Sequence, residues 1–268
     1  MDPRIYQVAA LAGLLGYGLW QLEFDIAFAQ IGVLLGGVLV TQYAFDRWKA
    51  HRPFEPRSAL ISGFSLCLLL RTNSLWLAGA AAVVAIAGKF LLRYHGKHLF
   101  NPANFTLVLL MVVTDGYVWI SSGQWGNVAF FGFLLVCLGG LVIHRAGRAD
   151  ISLAFLGCYA ACLFGRALYL GDPLAIPLHQ LQNGALLIFA FFMISDPRTT
   201  PDSRAGRILF AAFVAMVAWG IQIVTLRAES ILWSLALAAP LVPLLDRLLP
   251  ANRFAWSKPQ SLTPIPSS

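Results

Sequence analysis

The chain has 268 residues, 59% hydrophobic and 12% charged, with a mean hydropathy of +0.73 and a formal net charge of +7. A water-soluble domain carries about 45–50% apolar and about 25% charged residues, so this composition leaves too little polar surface for a soluble globule and points to lipid as the solvent. The positive charge sits in short loops between apolar runs, which excludes a nucleic-acid partner and fits topology signals and membrane-lipid headgroup contacts.

Apolar runs follow one another at residues 5–22, 24–45, 58–70, 74–92, 103–114, 126–144, 151–170, 183–195, 208–226 and 231–248. They predict an all-α, polytopic membrane protein of about ten transmembrane helices. The first run has no small-x-small cleavage site before the next and is read as a retained helix. A full crossing needs about 20 residues, and the runs 58–70, 103–114 and 183–195 are shorter. Short apolar helices beside Pro or Asn mark broken helices that line a site; boundaries misplaced by a few residues would give the same impression.

With the N-terminus placed inside, 16 of the 19 Lys and Arg residues fall in inside segments, and only Arg71, Arg166 and Arg227 fall outside. This alternation predicts a bacterial inner-membrane protein with both termini cytoplasmic and a polar cytoplasmic tail at 250–268. Trp20, Trp119, Trp125 and Tyr169 stand near outside span ends, as interfacial anchors do.

Ser62-Gly63-Phe64-Ser65-Leu66 opens one short run and Asn183-Gly184-Ala185-Leu186-Leu187 another, separated by about the interval between the first and sixth runs. Five runs per half reverse the sense of the second half. The pattern predicts pseudo-repeats over about 5–120 and 126–249, forming two inverted five-helix halves within one membrane domain around a central site.

No carboxylate falls at the middle of a run, which argues against a complete ion pump and leaves no carboxylate pair for hydrolysis. Cys67, Cys137, Cys158 and Cys162 lie inside apolar runs and form no disulfide framework. No metal site is expected: the cysteines read as small buried apolar residues, and the histidines offer no two axial haem ligands at matching depth.

Two polar segments interrupt the short runs. In the first, Gly96 to Phe105, Asn101 can cap a helix whose first residue, Pro102, is preset for it. The exposed N–H groups of such an end carry partial positive charge and can hold a phosphate, a flavin dione or a carboxylate. In the second, Ser195 to Asp202, two prolines fix a rigid turn, while Asp196, Thr199 and Thr200 supply donors and acceptors. On local grounds alone, a plain capped helix start and an ordinary stop-and-turn with Arg198 as an inside anchor are the favoured readings of the two segments. Both fall inside by the charge count, where opposed broken helices of an inverted repeat would converge.

Ala87-Gly88-Lys89-Phe90 with Gly96 through Asn104, and Asn183-Gly184-Ala185 through Phe191-Phe192-Met193-Ile194-Ser195-Asp196-Pro197-Arg198-Thr199-Thr200-Pro201, resemble two motifs of the NqrB/RnfD family, one in each half. Ser62-Gly63 through Leu70 resembles an early span of that family. By this resemblance the chain is identified as a short, divergent member. The resemblance implies an electron-transport subunit of the type found in sodium-pumping NADH:quinone reductase and the Rnf complex. Such subunits have two inverted halves, bind flavin and relay electrons between partner redox subunits. Family members often carry FMN linked to the threonine of a Ser-Gly-Ala-Thr motif. Here Gln124-Trp125 follow Ser122-Gly123, so the expectation is a non-covalent flavin, FMN or riboflavin. The site expected by this reading comprises Lys89, Asn101, Pro102, Asn104, Asn183, Asp196, Thr199 and Thr200. Lys89 is either a snorkelling anchor at a helix end or the neutraliser of a reduced, anionic flavin. The competing functions are a channel or carrier for a small solute with no redox cofactor, and a non-catalytic assembly subunit.

Overall fold

The computed structural model describes residues 3–50, 53–120, 147–227 and 229–254. In chain order the helices are α1 (Pro3–Gln21), α2 (Phe28–Phe45, running on through a π turn at Asp46–Ala50), α3 (Pro56–Leu69), α4 (Leu75–Leu91), α5 (Pro102–Val113), α6 (Ala149–Leu170), α7 (Ala175–Leu181), α8 (Gly184–Ile188, running on through a π turn at Phe189–Met193), α9 (Arg204–Thr225), α10 (Ser230–Ala238) and α11 (Leu241–Leu248). The described residues form an all-α polytopic membrane protein. Phe28–Lys49, α6 and α9, each 22 residues long, are long and apolar enough to cross a bilayer. The pairs α7–α8 and α10–α11 pass the same test as single spans bent by 50° and 51°, and α3, α4 and α5 are shorter apolar helices. A helix stands at every expected position except the sixth run, 126–144, which lies outside the described residues, as do Ser122 to Trp125 and residues 255–268.

Apolar side chains from all parts of the bundle meet inside, among them Leu14, Leu34, Leu107, Phe155, Phe189 and Phe210, while Trp20, Phe28, Trp76 and Tyr169 stand at the surface. Helix α2 packs on α4, and α6 on α9. The first contact depends on small residues: a Cβ added at Gly37 would lie 2.7 Å from the Ala82 Cβ. Small residues at a crossing let backbones approach closely enough for dispersion to hold two helices together in lipid.

The short helices are genuinely short. At 1.5 Å per residue, the 14 residues of α3 and the 12 of α5 rise only about 21 Å and 18 Å, against a hydrocarbon core of about 30 Å. The last carbonyls of α3 therefore end inside the fold. Arg71, which the charge count assigns to an outside loop, is instead only 2% exposed. Its Nη1 donates to the carbonyls of Cys67 (3.0 Å) and Leu70 (2.8 Å), and its guanidinium lies over the Phe24 ring. A cation there satisfies orphan carbonyls and complements the negative helix end. Strand β1 (Leu70–Arg71) pairs antiparallel with β4 (Trp119–Ile120), fastening the end of α3 to the segment after α5.

Two further features depart from the sequence reading. The tenth run is a bent pair rather than one helix, with its break at Ala239–Pro240. Pro240 lacks an amide donor and its ring clashes with the preceding turn. The polar stretch after α4 is a tight hairpin, β2 (Arg93–Tyr94) against β3 (Lys97–His98). Its two turn residues, His95 (φ 48°) and Gly96 (φ 78°), both have positive φ, as a type I′ turn requires.

Gly37→Leu is expected to cost about 1–3 kcal/mol by overpacking the α2–α4 contact. Gly36→Leu, where an added Cβ meets nothing within 4 Å, is expected to stay within about 0.5 kcal/mol of wild type. Thermal unfolding of both variants in detergent checks the pair.

Candidate functional site

Helices α2, α3, α4 and α5 and the turn after α8 enclose a cavity of about 850 Å³, inside the roughly 300–1,000 Å³ range of small-molecule sites. Its wall includes Gln42 from α2, Ser62 and Ser65 from α3, Lys89 from α4, Asn101 and Pro102 at the start of α5, and Phe192, Asp196 and Arg198 from the end of α8 and its turn. Two polar segments about a hundred residues apart in sequence thus share one wall.

Lys89 is only 5% exposed, so the snorkelling-anchor reading is corrected. Its Nζ donates to Gln42 Oε1 (2.8 Å), and Gln42 Nε2 donates to Asp46 Oδ2 (2.8 Å), which also accepts from the Glu55 backbone N–H (3.1 Å). One neutral amide therefore links the buried Lys89 amine to the buried Asp46 carboxylate across α2 and α4. The π turn at the end of α2 begins at Asp46. Buried charges survive only when paired and fully hydrogen-bonded, and this chain fixes Lys89 at the cavity wall.

Asn101 caps α5, its Oδ1 accepting from Asn104 N (3.1 Å), and its Nδ2 donates to the Met193 carbonyl (3.4 Å). The start of α5 and the end of α8 are thus in direct contact. Asp196 closes the turn after α8: its Oδ1 accepts from Arg198 N (2.9 Å), and its carbonyl accepts from the hydroxyls of Thr200 (2.9 Å) and Thr199 (3.3 Å). Thr199 and Thr200 are buried behind the turn and do not line the cavity; their hydroxyls hold Asp196 in place. Burial pushes the Asp196 carboxyl above its usual range, against the opposing pull of the Arg198 amide and of Arg198, Lys89 and Arg148.

The other two expected residues lie elsewhere. Asn104 sits one turn into α5, where its Nδ2 donates to the Leu232 carbonyl (3.2 Å) of α10 and its buried Oδ1 has no partner. Asn183 caps the far end of α8, accepting from Ala185 N (2.8 Å), and does not line the cavity.

Sequence reasoning missed Gln42, because a lone Gln in an apolar run carries no sign of its partner 47 residues away. It also missed the ionic fastenings around the cavity. Lys97 bridges Asp202 (3.1 Å) and Asp246 (2.7 Å), Arg207 grips Asp150 through Nε (2.9 Å to Oδ2), and Arg148 donates to the Pro201 carbonyl (3.0 Å). These contacts pin the turn carrying Asp196 to α6, α9, α11 and the β2–β3 hairpin.

Gln42→Leu is expected to cost about 1–3 kcal/mol by removing the acceptor of a buried donor. Gln42→Leu with Lys89→Met is expected to cost less than the sum of the single losses, since the stranded donor is gone. Denaturant unfolding of the four proteins in detergent measures the coupling. Asp196→Asn keeps an acceptor for Arg198 N and removes the buried charge. The carboxyl binds its proton more tightly in the folded chain than in the unfolded one, so wild-type stability falls as pH rises through the window above the ordinary carboxylate value. Tm measured against pH is expected to show the variant's advantage growing as pH rises from about 4 toward neutrality.

The sequence model of the NQR2, RnfD, RnfE family matches residues 115–255. Proteins described as belonging to an ion-translocating oxidoreductase complex, as one of its subunits, are similar over 125 residues: that of Citrobacter koseri is 32% identical and that of an Escherichia coli O81 strain 33%. The similarity covers 46% of this chain and 34% of each relative, so the chain spans about a third of the length of the curated relatives it matches. With the family match extending over more than half of its residues, the chain belongs to the NQR2, RnfD, RnfE family.

Proposed function

We propose that the protein is a membrane electron-transport subunit of an ion-translocating oxidoreductase complex, and that its cavity holds a flavin, FMN or riboflavin, without a covalent link. The observation that carries this reading is the gathering of Lys89, Asn101, Pro102 and Asp196 on one wall of an 850 Å³ cavity. The family membership and the relatives' description as members of such a complex support the same reading.

The residues present suit such a group. Phe54, Ile61, Phe192 and Pro197 offer apolar surface for a planar ring system, while Ser62, Ser65, Gln42 and Asn101 offer hydrogen-bonding edges. A bound flavin supplies one- and two-electron redox chemistry. Lys89, fixed by Gln42, places a cationic group where negative charge on the ring would be stabilised, and the first N–H groups of α5 add their partial positive charge. Asp196 offers a hydrogen-bond acceptor to the same cavity, its backbone carbonyl held by the hydroxyls of Thr199 and Thr200. Asn183 caps α8 and sets the position of its far end, and Asn104 ties α5 to α10. By the distribution of Lys and Arg, the cavity faces the cytoplasm of a bacterial inner-membrane protein. Other redox subunits of the complex are the partners that would deliver and remove electrons.

Protein purified in detergent is expected to show the near-ultraviolet and blue absorption bands of a flavin, and acid denaturation is expected to release that flavin into solution. Asn101→Asp keeps the helix cap but adds a negative charge to the wall. It is expected to weaken flavin retention about tenfold, the loss of one hydrogen bond to a ligand, and to lower Tm because the donor to the Met193 carbonyl is also lost. Pure, folded and colourless protein would contradict the reading and favour a solute carrier.

A further inference from the structure

Helix α11 stops where Pro250 follows it. A residue before proline is pushed out of the α region, and Leu249, at φ −127° and ψ 68°, has left it. Residues 250–254 continue without regular structure. Residues 250–253 are exposed to solvent, yet Arg253 and Phe254 also line the 850 Å³ cavity. The segment therefore lies between solvent and a wall whose Gln42, Lys89 and Asn101 are buried.

Two side-chain contacts hold the segment down, one on each half of the chain. Arg253 Nη2 donates to the His95 carbonyl in the turn of the β2–β3 hairpin. Gly96 beside it leaves room for the guanidinium: an added Cβ would stand 3.5 Å from Arg253 Nη1. On the other side, the Arg148 guanidinium lies 5.1 Å from the centre of the Phe254 ring. Arg148 is buried and donates to the Pro201 carbonyl (3.0 Å), so the ring rests on an anchored cation at the start of α6. A charged donor strengthens the first contact, and the second is a cation–π contact. Between α11 and these latches, Ala251 and Asn252 add no hydrogen bond among the described residues. Segments with few buried contacts and no helix or strand ladder open locally while the rest of a fold stays intact.

We propose that residues 250–254 are a strap across the mouth of the cavity, hinged at Leu249 and latched by Arg253 on His95 and by Phe254 on Arg148. Latched, the strap keeps solutes away from the buried wall. Released, it lets a small molecule enter or leave, as lids over other binding sites do. The inference concerns access to the cavity and does not require that the ligand be a flavin.

The test is the rate at which a water-soluble maleimide labels a cysteine on the cavity wall. The full-length, detergent-purified protein carries Ser65→Cys, a buried wall position, after Cys67, Cys137, Cys158 and Cys162 are replaced by Ala. A second protein carries Gln180→Cys instead, at an exposed position on α7. Arg253→Gln with Phe254→Ala is expected to speed labelling at position 65 at least about tenfold, the equilibrium effect of one lost charge-assisted hydrogen bond, and to leave labelling at position 180 unchanged. Each single change is expected to act in the same direction with a smaller effect. Arg253→Lys with Phe254→Trp keeps a charged donor and an aromatic ring, and is expected to restore slow labelling. Labelling at position 65 as fast as at position 180 before any strap change overturns the proposal. So does a rate at position 65 unchanged by the strap variants, or an equal rise at both positions, which marks general loosening. The rates are read whether or not a flavin is bound, so failure here is distinct from failure of the flavin reading.

Discussion

Backbone groups at helix ends have to find partners where water cannot reach, and in this protein several helices end inside the bundle. Helices α3, α5 and α8 are each too short to cross a bilayer, so their unpaired carbonyls and amides lie among apolar side chains. Each end has its own remedy. Arg71 covers the last carbonyls of α3, Asn101 and Asn183 cap the starts of α5 and α8, and Ser152 Oγ donates to the Ala190 carbonyl within the π turn that closes α8. Because each remedy is polar, the interrupted helices carry polar side chains into an otherwise apolar interior, and the cavity forms where two of these ends meet.

That meeting would be loose if the connecting segments were free to move. Instead, the turn carrying Asp196 is anchored by its own hydroxyls and by ionic contacts that reach well beyond it. Asp202 and Asp246 share Lys97, Asp202 N donates to Asp246 Oδ1 (2.8 Å), and Arg207 joins the Asp202 carbonyl (2.7 Å) to Asp150. A site must be held by rigid neighbours to preserve its geometry, and here the neighbours come from α6, α9 and α11. The Lys89–Gln42–Asp46 chain plays the same part between α2 and α4.

Much of this was legible in the sequence because it follows from local rules. Apolar runs, their lengths and the Asn-Pro and Asp-Pro signals located the helices, marked the short ones and singled out the two segments that share the cavity. What stayed hidden depends on contacts between distant positions. Lys89 at the end of an apolar run looks like a surface anchor until Gln42 is seen beside it. Thr199 and Thr200 have the chemistry of ligand contacts, yet their hydroxyls are taken up by the Asp196 carbonyl. Asn183 carries the same capping signal as Asn101, but nothing local says that the two caps face different ends of the bundle. The hairpin turn at His95-Gly96 and the break at Pro240 did have local signals, a glycine and a proline, and these stood within stretches otherwise read as a loop and a continuous span.

The convergence of the two interrupted helices is tested most directly by paired cysteines at Asn101 and Met193, introduced after the native cysteines are replaced and probed in membranes with a short bifunctional thiol reagent. Contact between the Asn101 amide and the Met193 carbonyl predicts efficient intramolecular cross-linking, comparable to a control pair at Gly37 and Ala82, whose backbones are in close contact. Cross-linking of the control pair without any at 101 and 193 would contradict the account, because the two segments would then not share a wall.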